Sequence, residues 1–152
     1  MSEERFVAQK WRPRKTVPLV SLRVLQVAAG KALFGSRFSR WGSDVASAAA
    51  LNYVDALGDL GMVDEVELQE RGDLTVVTGL PKWAYPRGGV CVGNVFLTGR
   101  EPSDAVLRHE RKHVSQWHLY GLAMPVLYWA AGRNPEKNWF EVEAGLTDGG
   151  YR

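Results

Sequence analysis

The chain has 152 residues, 45% of them hydrophobic and 24% charged, with a formal net charge of +2. That length suits one domain with a real core, and so small a net charge gives no reason to expect a nucleic-acid partner. A single cysteine, Cys91, excludes an internal disulfide framework and an all-cysteine iron–sulfur cluster, and it suits a cytoplasmic protein.

Residues 1–17 read as a basic N-terminal arm, with Lys10, Trp11, Arg12, Arg14 and Lys15 close together, extended or loosely docked. Residues 18–152 read as a single domain. The first residues are acidic, unlike a secretory leader. The apolar stretch from Pro18 to Gly35 is broken by Arg23 and Lys31, and the run from Leu119 to Gly132 is short and contains Pro125. Neither is expected to cross a bilayer, although a weak peripheral membrane contact stays open.

Apolar residues recur at helical intervals from Leu19 to Phe34, which predicts a helix closed by Gly35. A second helix is expected from an N-cap at Ser43 or Asp44 to Leu60, and Val63 to Gly72 reads as a connector. The β-branched run Leu74–Thr78 predicts a strand, as does Val90–Thr98, and a hairpin-like pairing of the two is the simplest arrangement. Ser103 then caps a helix that runs through His113 to about Tyr120, ending at Gly121. A short helix is expected over Pro125–Ala131, and a last one from Asn138 to Asp148. The fold class is α+β: mostly helical, with a small antiparallel sheet beside the helix that carries the histidines.

All three histidines lie between residues 109 and 118, and His109-Glu110-Arg111-Lys112-His113 is a HExxH motif. Histidines four apart on a helix stack one turn above each other and can share one Zn²⁺. Glu110 beside the first of them is placed to act as a general base toward a water. A third ligand should come from downstream, where Glu141 and Glu143 sit about 200° apart on a helical wheel, so only one can face the ion. Glu141 is preferred, because Ala144 leaves its face uncrowded, with Glu143 as the alternative metal ligand. Gln116 and Tyr120 share the His109 face within about 20° and are candidates to support a ligand or touch substrate. His118 is turned about 140° from His113 and is not expected to bind metal.

The strand with Val92-Gly93-Asn94, the motif His109-Glu110-x-x-His113-x-x-Gln116 and the segment Trp139-x-Glu141-x-x-Ala144 together resemble small bacterial zincin-like domains with a glutamate third ligand. The likeness, roughly Leu74 to Tyr151, is greatest to an uncharacterised actinobacterial family. It implies a minimal zincin-like fold, zinc on His109, His113 and Glu141, and Glu110 as the base. The two central motif positions are usually uncharged in such domains, whereas here they are Arg111 and Lys112.

The expected function is therefore a zinc-binding peptide hydrolase of metalloprotease type, with one Zn²⁺ per chain; iron or manganese would also suit two histidines and a carboxylate. The strand Val90–Thr98 is a candidate for pairing with an extended substrate. The alternative is an inactive zincin-like scaffold that binds metal and a protein partner, favoured by the charges of Arg111 and Lys112 and by the lack of a clear oxyanion donor.

Overall fold

The structure, a computed structural model, describes residues 9–10 and 37–151. The helix expected over Leu19–Phe34 and most of the basic arm lie outside the described residues. Two arm residues are described: Gln9–Lys10 forms a short strand, β1. The other elements are α1 (Arg37–Asp59), β2 (Glu67–Arg71), β3 (Leu74–Thr78), β4 (Val90–Val92), β5 (Val95–Leu97), α2 (Asp104–Tyr120), α3 (Met124–Ala130) and α4 (Trp139–Ala144). Single 3₁₀ turns cover Lys82–Ala84 and Gly121–Ala123. No helix among the described residues is long and apolar enough to cross a membrane.

The fold is α+β with one sheet of order β1-β2-β3-β5-β4. It is antiparallel except at its centre, where β3 and β5 run parallel with Val76 opposite Phe96. The expected direct hairpin between residues 74–78 and 90–98 is replaced by two tight hairpins set side by side. The first joins β2 to β3 through Gly72-Asp73, so Val63–Gly72 is not a mere connector. The second divides the expected strand 90–98 at Gly93-Asn94, where Gly93 has φ 64°. Such two-residue turns favour glycine because they need a positive φ. Gly93 is also constrained by space, since a Cβ there would lie 2.0 Å from Ser47 Oγ.

The central strands are covered on both faces, as a parallel pair requires. Val77, Val95 and Leu97 pack against Ala50, Val54 and Leu57 of α1. Val76 and Phe96, on the opposite face by the two-residue period of a strand, meet Leu107 and Val114 of α2. A third cluster, Ala46, Trp117, Met124 and Phe140, joins α1 and α2 to the C-terminal helices.

α1 begins at Arg37, earlier than expected, and Ser43 is a buried residue inside it rather than its cap. The early turns fit closely against the end of α2: a Cβ on Gly42 would stand 2.7 Å from the Leu122 backbone nitrogen. By contrast α2 has its expected bounds. Ser103 accepts the Val106 N–H at 3.3 Å, and Gly121 closes the helix with φ 54°. α4 is shorter than expected: Asn138 caps it by accepting the Phe140 N–H, and it ends at Gly145, φ 102°. The residues beyond Gly145 turn back toward α2.

Candidate metal centre

One turn apart on the side of α2 that faces α4, His109 and His113 are both buried, and Glu141 reaches them from the first turn of α4. The two Nε2 atoms are 3.1 Å apart, and Glu141 Oε2 lies 3.2 Å from one and 3.7 Å from the other. A tetrahedral ion with ligand distances of about 2.0–2.1 Å spaces its donors about 3.3–3.4 Å apart. These three atoms therefore mark one face of such a tetrahedron.

The hydrogen bonds behind the histidines fix which nitrogen faces inward. His109 Nδ1 donates to the Gly145 carbonyl at 3.0 Å. His113 Nδ1 donates to Gln116 Oε1 at 2.8 Å, an orientation set by Gln116 Nε2, which donates to the Phe140 carbonyl and to Glu143. With both protons on Nδ1, both Nε2 lone pairs point at Glu141 Oε2, which has no hydrogen-bond partner. Three acceptors that converge without a donor are costly in a buried site unless a cation lies between them. The residues fit a metal ion, and the His109, His113 and Glu141 cluster can hold one.

Electrostatics favour positive charge there. Burial works against the charge on Glu141, but the histidines and the Tyr128 hydroxyl outweigh it and hold its carboxyl well below the ordinary carboxylate range. Burial also disfavours a protonated His109, yet Glu141, Glu110 and the Gly145 carbonyl raise its pKa. Glu110 behaves differently: burial pushes its carboxyl up to about 7, and the nearby histidines only partly oppose this. Its Oε2 is buried without a partner.

A cavity of about 410 Å³ opens onto this cluster, lined by Glu110, the three candidate ligands, Arg87, Tyr128, Tyr151 and apolar walls that include Val90, Val92, Met124 and Pro125. Neither Arg111 nor Lys112 lines it. Lys112 is exposed, and Arg111 turns to the β2–β3 hairpin, donating to the Arg71 carbonyl at 3.3 Å and pairing with Asp73 at 3.6 Å. The two unusual motif charges thus face away from the candidate centre.

Of the other residues singled out in the sequence, Glu143 lies outside the cluster: it is exposed and accepts a hydrogen bond from the Gln116 amide that orients His113. Gln116 lies behind His113, hydrogen-bonded to its Nδ1. Tyr120 lies away from the cluster and packs edge-on against Trp139 and Phe140. A helical wheel gives direction but not height, and Tyr120 lies about 16 Å along the axis from His109. His118, half-buried, stays out of the cluster. Cys91 is half-buried at the cavity wall, with burial pushing its thiol pKa well up. β4 is an edge strand beside the cavity, but its Cys91 carbonyl already accepts Trp117 Nε1 at 3.0 Å.

Several residues at the centre escaped the sequence reading. The Tyr128 hydroxyl donates to Glu141 Oε1 from α3. Gly145 offers only a backbone carbonyl. Gly149 leaves room for the His109 ring, since a Cβ there would come 2.6 Å from Cε1. Tyr151 stands edge-on to the same ring at 6.1 Å, and an Arg108–Asp148 ion pair holds this segment over α2. Only the glycines at 149 and 150 hinted at a close approach, and they read equally well as a helix stop.

The fold and the site define an α+β domain whose buried His–His–Glu cluster can hold a metal ion. No protein family, curated protein or solved structure matches the chain.

Proposed function

We propose that this domain is a zincin-like, zinc-dependent peptide hydrolase in which Glu110 is the general base. The observation that carries the reading is the convergence of His109 Nε2, His113 Nε2 and Glu141 Oε2 in the cavity where Glu110 holds an unpartnered carboxylate oxygen. Two imidazoles and a carboxylate are a donor set of catalytic zinc sites, which keep a position open for water or substrate. When bound, the ion supplies Lewis acidity, lowering the pKa of water and polarising a carbonyl. Glu110 takes a proton from the attacking water and delivers it to the leaving amine. His109 and His113 are held in the metal-binding tautomer by Gly145 and Gln116, and Tyr128 fixes the Glu141 carboxylate. The Tyr151 phenol at the cavity wall is an available donor for a carbonyl oxygen that gains charge.

A metal-holding scaffold for a protein partner is the second reading. It drew its support from Arg111 and Lys112, which both point away from the cavity, and from the lack of a clear oxyanion donor in the sequence, a place where the structure sets the Tyr151 phenol at the cavity wall. Metal analysis of protein purified without added metal, followed by incubation with a mixed peptide library and mass spectrometry, tests the choice. The expected result is bound zinc and metal-dependent cleavage that disappears in Glu110→Gln while the ion stays bound. Loss of the general base typically costs a factor of about 10²–10⁴ in rate. Fully metallated native protein that cleaves nothing would support the scaffold, and cleavage undiminished in Glu110→Gln would overturn the mechanism.

A further inference from the structure

Besides the histidines, the cavity wall carries one cationic side chain among the described residues, Arg87. It sits in a loop where the chain offers Gly88 and Gly89, yet Arg87 itself adopts the left-handed backbone, φ 56°, alone among the described non-glycine residues. Such a conformation persists where surrounding contacts over-determine it. The contacts belong to the guanidinium: Nη2 donates to the Arg133 carbonyl at 2.7 Å, Nη1 faces the Tyr128 hydroxyl at 3.4 Å, and the Tyr151 phenol is a third partner. All three partners are uncharged. Among the described residues no carboxylate forms an ion pair with Arg87.

The charges of the cavity are then unequal. When ionised, Glu110 and Glu141 would balance a divalent ion, which leaves the positive charge of Arg87 over. We propose that Arg87 is the binding site for a carboxylate of the substrate, carried next to the peptide bond presented to the metal centre. This rests on the hydrolase reading above. A guanidinium has five N–H donors in a planar fork that matches a carboxylate, and its three neutral partners do not use them all. Tyr128 touches both Arg87 and Glu141, so a carboxylate held by Arg87 lies one side chain from the candidate ligands. The apolar walls, Val90, Val92, Met124 and Pro125, accommodate a neighbouring apolar side chain. The substrate class is a peptide with a carboxylate near the cleaved bond, supplied by its C-terminus or by an acidic side chain.

Binding of thiol ligands to the zinc-loaded protein tests this without requiring turnover. Three mercaptoacetyl dipeptides serve as probes, measured by calorimetry: leucyl-alanine with a free C-terminus, the same dipeptide as its C-terminal amide, and leucyl-glutamate as its amide. At least one carboxylate-bearing probe is expected to bind about tenfold or more tightly than leucyl-alanine amide, as for a hydrogen-bonded charged pair. Which one does so identifies the source of the carboxylate. In Arg87→Met that preference should fall to within about twofold while the amide still binds, and Arg87→Lys should retain part of it. A purely structural Arg87 would instead weaken all three probes together. Equal binding of acids and amide to the native protein, or a preference that survives Arg87→Met, would overturn the proposal and leave the metal centre standing. Failure of every probe to bind the zinc-loaded protein would overturn the hydrolase reading and the proposal with it.

Discussion

His109 and His113 present their Nε2 lone pairs to one point because each gives its Nδ1 proton to a carbonyl oxygen, one from the backbone and one from Gln116. Replacing His113 with Ala should therefore reduce bound metal from about one ion per chain to a trace, as elemental analysis would read it. Glu141→Gln should do nearly as much damage, and Glu143→Gln far less, because Glu143 acts on the ion only through Gln116 and His113. Equal loss in the two glutamine variants would reverse the assignment of the third ligand. Gln116→Leu removes the acceptor behind His113 and should weaken metal binding about 10–100-fold, measured by competition with a chelator. At this scale the candidate ligands were legible, since four-residue spacing on a helix is a geometric statement, a wheel lets only one of Glu141 and Glu143 join them, and Ala144 marked the Glu141 face as uncrowded. Tyr128, Arg87 and the Gly145 carbonyl were not. They come from separate loops and short helices, and no spacing along the chain announces a contact made through a backbone oxygen.

The helix α2 was readable along its whole length because a cap, a periodic apolar face and a terminal glycine agree. β2 was not: in Glu-Leu-Gln-Glu-Arg only Gln69 is buried, so no alternation of apolar residues marks a strand. Its pairing is set by the turn at Gly72-Asp73 and by β3, which needs a partner. The break at Gly93-Asn94 had a turn signal, but the valines on either side masked it. Gly93→Ala tests how much that turn matters. The new methyl must occupy a left-handed position and displace Ser47 Oγ and the Ser43 carbonyl. A loss of about 2–4 kcal/mol in urea unfolding is expected from backbone strain and overpacking together. A loss under about 0.5 kcal/mol would mean that β4–β5 can shift away from α1 more freely than its packing implies. Arg111→Met makes the opposite prediction. Its partners on the β2–β3 hairpin are solvent-exposed or half-buried, so stability should fall by no more than about 1 kcal/mol, with metal binding unchanged.

In the whole molecule the core and the candidate centre hold different parts together. Clusters on both faces of β3 and β5 join the sheet to α1 and α2 without help from the centre. The C-terminal third depends more on it: α4 is only Trp139–Ala144, too short to persist alone, and α3 leaves Val126 and Trp129 largely exposed. An ion bridging α2 to Glu141 would fasten α4, and with it Tyr128 and the segment that returns over His109. Chelation should therefore lower the thermal midpoint, because a ligand that binds only the folded state at about 100 times its Kd contributes about 2.7 kcal/mol. For a domain of this size that is a shift of roughly 5–10 °C. The loss should also be local. Hydrogen exchange of the chelated protein is expected to quicken in α3, α4 and residues 145–151, while β3, β5 and the middle of α1 keep their protection. A uniform quickening would show that the centre holds the sheet as well, and no change anywhere would show that α4 docks through Phe140 and Asn138 alone. Restoring zinc to the chelated protein should reverse both effects, and Glu141→Gln should show neither on chelation.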